Sequence, residues 1–153
     1  MATFNVTSAN NTGAGSLAQA IANANAAAGA DEIVFASGLT INLTSALPNI
    51  TDAVMIRGVN RLNSIVDASG ITGRNRVFNS TAPLTVENLT LRGGSSANEG
   101  GGIYSDAAVI VANSTISGNT SNSTGGGIYS NAAVTVTNNN LSATSRNSKG
   151  GGI

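Results

Sequence analysis

Seven carboxylates and seven cations are all the ionic chemistry that this 153-residue chain holds, and it has no histidine and no cysteine. Hydrolysis of a glycosidic bond needs two carboxylates facing each other across the bond, roughly 5–9.5 Å apart. The acids are Asp31, Glu32, Asp52, Asp67, Glu87, Glu99 and Asp106, and no two stand at i, i+2, the spacing that would put both on one face of a strand. Asp31 and Glu32 are adjacent, so a strand beginning there points them to opposite faces. An eliminating lyase would need an acid cluster for Ca²⁺ with a base beside it. Arg57, Arg61, Arg74, Arg76 and Arg92 are the candidates for that base, and they read as solvated loop cations. Without cysteine or histidine there are no disulfides, no Cys/His metal sites and no histidine proton transfer. The expectation is a protein that is not an enzyme, with no catalytic residue, no metal site and no cofactor.

The elements that position these residues follow from a repeat. Gly100-Gly101-Gly102-Ile103-Tyr104-Ser105 returns 25 residues later as Gly125-Gly126-Gly127-Ile128-Tyr129-Ser130, and Gly150-Gly151-Gly152-Ile153 opens a further copy. In the same phase Leu84, Val109 and Val134 form one column, Val86, Val111 and Val136 a second, and Leu91, Ile116 and Leu141 a third. A unit of this length made of short β-type runs cannot bury its own apolar face, so copies must stack and share a core. The predicted fold is all-β: a right-handed parallel β-helix with three strands per coil. The acids do not repeat with it, since the 25-residue shift turns Asp106 into Thr81 and Asn131, and Glu87 into Ala112 and Thr137. No acidic ladder forms. The glycine runs carry no paired Asp either, too few oxygen donors for a 6–8-coordinate Ca²⁺.

Three organisational zones follow. Residues 1–30 hold a short strand at 3–7 and the one predicted helix, 16–28, where Ser16 and Gln19 make a capping-box pattern, Leu17, Ala20, Ile21, Ala24 and Ala28 share a face, and Gly29 stands at the end. This helix is expected to lie over the open end of the core, with Leu17 and Ile21 plugging the first layer. Residues 31–81 keep a strand rhythm without the register, with runs at Ile33-Val34-Phe35, Thr40 to Leu43, Val54-Met55-Ile56, Ser64-Ile65-Val66 and Arg76-Val77-Phe78. Residues 82–153 are regular repeats.

Several polar positions read as products of the stacking. The glycine runs let the chain turn with φ > 0 and keep coils close. Tyr104 lies above Tyr129 because the repeat puts it there, although the pair could offer a platform for a sugar ring. Asn88, Asn113 and Asn138 read as an internal ladder whose amides bond from coil to coil, since buried polar groups must be paired. Many asparagines also stand in Asn-x-Ser/Thr sequons, of which Asn119 and Asn122 are expected to be exposed. Thr135-Val136-Thr137 aligns with Ile110-Val111-Ala112 and Thr85-Val86-Glu87, so no regular threonine array exists.

Asn11-Thr12-Gly13-Ala14-Gly15-Ser16-Leu17-Ala18-Gln19-Ala20-Ile21, followed by Ala30-Asp31-Glu32-Ile33-Val34-Phe35, resembles the opening of bacterial secreted right-handed parallel β-helix proteins. The Gly-Gly-Gly-Ile-Tyr-Ser runs and Asn113-Ser114-Thr115-Ile116-Ser117-Gly118-Asn119 resemble their repeats, including those of chlamydial-type polymorphic outer-membrane proteins; the Phe-x-x-Asn element of the latter is missing. The resemblance implies a surface-exposed or secreted segment of a larger protein serving adhesion or matrix, with no catalytic residue to carry over. An N-terminal part of a carbohydrate-active β-helix enzyme, with its active site outside this segment, is the alternative. The N-terminus shows no signal-peptide pattern and no run long enough to span a membrane, while the missing cysteines and the Asn/Thr richness favour an extracellular or cell-surface location. With 9% charged residues and balanced signs there is no footprint for nucleic acid or membrane. Expected partners are surface glycans and, at Ile153, further coils or another copy in a head-to-tail filament.

Overall fold

Period-2 apolar runs that recur every 25 residues can bury themselves only if the chain winds back over its own start, and each register of the structure shows it doing so. Val109 sits between Leu84 and Val134, and Ile116 between Leu91 and Leu141. The computed structural model describes residues 1–142 and 145–146 and shows a parallel β-solenoid of six rungs with one helix near the N-terminus. The further copy at Gly150-Gly151-Gly152-Ile153 and the contact expected at Ile153 lie outside the described residues.

The chain enters through β1 (Thr3–Val6), crosses over by α1 (Leu17–Ala26) and returns beside its start as β2 (Asp31–Phe35). Then come β3 (Thr40–Asn42), β4 (Val54–Arg57) and β5 (Ile65–Asp67). Three regular coils follow: β6 (Phe78–Ser80), β7 (Leu84–Glu87), β8 (Thr90–Arg92) and β9 (Ser95–Ser96); β10 (Ile103–Ser105), β11 (Val109–Ala112), β12 (Thr115–Ser117) and β13 (Thr120–Ser121); β14 (Ile128–Ser130), β15 (Val134–Thr137), β16 (Asn140–Ser142) and β17 (Ser145–Arg146). One wall is β1-β2-β4-β7-β11-β15, the next β3-β5-β8-β12-β16, and two shorter walls are β6-β10-β14 and β9-β13-β17. The regular coils therefore have four strands where three were expected. The fourth has no apolar signature: it is a Ser/Thr pair in β9 and β13, set off by Gly93 and Gly118, both at positive φ, and Ser145-Arg146 in β17.

The expected helix is shorter than 16–28. Ser16 caps it, its Oγ accepting from the Gln19 N–H at 3.1 Å. The capping box closes on one side only, because the Gln19 amide donates to Asn23 Oδ1 and the Ser16 N–H goes to the Gly13 carbonyl. At the other end Ala27 is extended and its N–H bonds Asn23 and Ala24 carbonyls, so Gly29 (φ 94°) turns the chain toward β2 instead of capping. Leu17, Ala20, Ile21 and Ala24 are buried in the core against β1 and β2, as a lid requires.

The irregularity of 31–81 has a location. Ile65 faces Thr90, in step with the 25-residue repeat, but Val54 faces Leu84, a longer interval. The extra residues form the turn 58–64 between β4 and β5, at a corner that later coils make with only Asn88-Leu89, Asn113-Ser114 and Asn138-Asn139. The strand expected at Arg76-Val77-Phe78 begins at Phe78, because Val77 and Phe78 both send their N–H groups to the Gly102 carbonyl and Arg76 is held outside the ladder.

Candidate functional site

Each of the seven acids is engaged by a neighbouring segment. Asp31 opens β2 and points inward, its Oδ1 accepting from the Ala2 N–H at 2.6 Å, while Glu32 points outward. Glu32 Oε1 lies 3.0 Å from Arg57 Nη1, and Arg57 Nε lies 3.2 Å from Glu87 Oε2, so one row of ionic contacts ties β2, β4 and β7. Asp67 of β5 accepts from Arg92 Nε of β8 at 2.6 Å. Burial pushes the Asp67 carboxyl up, but bonds from the Ser69 hydroxyl and N–H, with Arg92, outweigh it and hold its pKa below the usual value. Asp52 accepts from the N–H groups of Ala53 and Gly29, and Glu99 Oε1 from the Ser123 hydroxyl. Arg57 and Arg92 are strand residues in ion pairs, which corrects their reading as solvated loop cations. The Asp67–Arg92 pair was present at the 25-residue spacing; Arg57–Glu87 was hidden by the longer corner.

The outer face of the β6-β10-β14 wall carries the aromatic stack. Asn79, Tyr104 and Tyr129 share one register line. The two rings stack with centroids 5.7 Å apart at 17°, and the Arg76 guanidinium lies 4.5 Å from the Tyr104 centroid. Tyr104 therefore has its ring occupied by Arg76 and Tyr129, which leaves mainly its edge to a sugar. Its hydroxyl donates to Asp106 Oδ1 at 2.8 Å, and Asn131 Nδ2 bonds both at 2.8–3.1 Å. The Asp106 bond, with some burial, raises the Tyr104 pKa against the opposing pull of Asn131 and Arg76.

The asparagine column is corrected in part. Asn88, Asn113 and Asn138 have φ of 57°, 50° and 53°, so they turn the corner in the left-handed region that Asn tolerates. They are partly or fully exposed, and Asn138 does reach Asn113 at 2.7 Å. The buried amide is Asn119, expected to be exposed: its Oδ1 accepts from the Gly94 N–H at 2.8 Å and its Nδ2 donates to the Leu91 carbonyl at 3.1 Å. Asn122 is exposed, as expected, and accepts from Arg74 at 2.6 Å. The glycine run divides its work: Gly100 and Gly125 take positive φ, whereas a Cβ on Gly101 would come within 2.1 Å of the Thr120 carbonyl oxygen.

An open cleft of about 140 Å³ adjoins Arg76, lined also by Asn49, Arg74, Asn75, Asn79 and Ser95. Another of about 170 Å³, beside Phe4 and Gln19, has no charged residue. Among the described residues no three acids gather where they could hold a metal ion, and no helix is long and apolar enough to cross a membrane. Compared with protein-family models, curated proteins and solved structures, the chain gives no match in any of the three.

Proposed function

We propose that the chain is a non-catalytic structural and adhesive β-solenoid module of a secreted or cell-surface bacterial protein. The observation that carries this reading is the engagement of all seven acids in contacts that join one segment of the stack to another, Asp106 through Asn131 of the next coil. Acid–base catalysis needs carboxylates poised at a reacting bond, whereas here the ionic and amide chemistry is directed along the axis, into cohesion. The resemblance of 11–21 and 30–35 to secreted β-helix openings supports the outward location.

Antibodies against the chain, applied to intact cells of the source bacterium, are expected to label them, and deletion of the segment is expected to reduce adherence. The purified chain is expected to release neither reducing ends nor unsaturated uronates from polysaccharides. Unlabelled intact cells together with its absence from the culture medium, or turnover abolished by one Asp or Glu substitution, would overturn the proposal.

A further inference from the structure

Arg74 and Arg76 carry charges that no carboxylate contacts, since the ion pairs among the described residues are made by Arg57 and Arg92. Both line the 140 Å³ cleft, and no Asp or Glu does. Their orientation is fixed by neutral acceptors. Arg76 donates through Nε and Nη2 to the carbonyls of Glu99 and Gly100 at 2.9–3.0 Å, with Tyr104 against its planar face. Arg74 donates through Nη1 to the Ser96 carbonyl at 3.3 Å and to Asn122 Oδ1 at 2.6 Å. A guanidinium has five N–H donors, so Arg76 Nη1 and Arg74 Nε and Nη2 remain without partners among the described residues. The Glu99 carboxylate attracts Arg76 only from beyond contact distance, being itself bonded to Ser123.

Two oriented guanidiniums with open donors suit a carboxylate, whose oxygens match the fork. The rest of the lining is amide and hydroxyl: Asn79 Nδ2 bonds Asn49 Oδ1 at 3.0 Å, and Asn75 and Ser95 complete a surface rich in paired donors and acceptors for hydroxyl groups. The cleft is smaller than the ~300–1,000 Å³ of sites for drug-sized ligands, so it takes one unit of a longer molecule. We propose that this cleft binds a hexuronate unit of an acidic polysaccharide, with its carboxylate on Arg74 and Arg76 and its hydroxyls on Asn49, Asn75 and Asn79. The proposal supplies the adhesive reading with a target and takes its biological role from that reading, while the binding itself stands on the cleft. With a net charge of zero the affinity comes from these contacts and not from long-range steering.

The test is calorimetric titration of the 153-residue chain with trigalacturonate, with its fully methyl-esterified neutral form, and with sodium sulfate. Trigalacturonate is expected to bind at least about tenfold more tightly than either, the scale of a lost charge-assisted hydrogen bond. Arg74→Gln is expected to weaken it by a similar factor, and Arg61→Gln, outside the cleft, to leave it unchanged. Arg76 is not the test position because it also braces Tyr104 and the turn at Glu99. Should R74Q fail to fold, the acid-to-ester ratio on the native chain decides the matter. No trigalacturonate binding at millimolar concentration, equal binding of the ester, or undiminished binding in a folded R74Q would overturn the site, and sulfate binding as tightly as trigalacturonate would overturn its assignment to a sugar. Failure here leaves the cell-labelling and turnover tests of the structural role untouched.

Discussion

At the scale of single residues, the ionisable groups act as fasteners whose chemistry is measurable by pH. Asp67 is the clearest case, with its folded pKa depressed by Ser69 and Arg92 against the cost of burial. A carboxyl depressed in this way contributes stability that is fully present above its unfolded pKa of about 3.9 and is lost as pH falls through the folded value. Melting of the chain is therefore expected to drop on acidification below about pH 4, and to drop less in Asp67→Asn, which has no proton to take up; parallel acid limbs would remove Asp67 from the account. Tyr104 moves the other way. With Tyr129→Phe as background, Tyr104 is the one remaining phenol, and its absorbance titration near 295 nm is expected above the ordinary value of about 10. Asp106→Ala should bring it down, since the bond to Asp106 is the largest cause of the rise.

At the scale of elements, the corners hold the information that the strands lack. Val86 and Leu91 stand between polar neighbours and could be assigned to the core from period alone. Asn119 could not. It follows Gly118 in a run of Ser, Thr and Asn, its counterpart one coil earlier is Gly94, and nothing local marks it as buried. Its burial follows from the two backbone groups that it satisfies across the coil boundary. Asn119→Ala leaves the Gly94 N–H and the Leu91 carbonyl without those partners, and is expected to cost about 1–3 kcal/mol. Asn113→Ala removes only an exposed bond and meets the left-handed backbone cost of about 1–2 kcal/mol, which Asn113→Gly should avoid. Urea melts of the three variants separate the two mechanisms: equal losses in Asn113→Ala and Asn113→Gly would show that the amide, and not the φ value, matters at that corner.

At the scale of the molecule, the stack needs its first layer covered. Leu17 and Ile21 are both buried on the inner face of α1, and each contributes about 1.5–3 kcal/mol. Replacing both by Asp is expected to cost several kcal/mol and to lower the melting temperature strongly, and an unchanged melt would rule out the lid. The repeat, the apolar columns, the parallel stacking and the lid were all legible in the sequence, because a solenoid turns position along the chain into position in space at a fixed step. The tertiary structure decided what that step does not govern. The turn 58–64 sets Arg57 opposite Glu87 and sends Arg61 to the Asn138 carbonyl, partners at spacings that no repeat announces. Corner geometry decided which amides are buried, and the displaced start of β6 left Arg74 and Arg76 beside an open cleft. The physical reason is the same in each case: apolar burial follows a one-dimensional pattern, but a polar atom's partner depends on where the backbone of the next coil places its donor or acceptor.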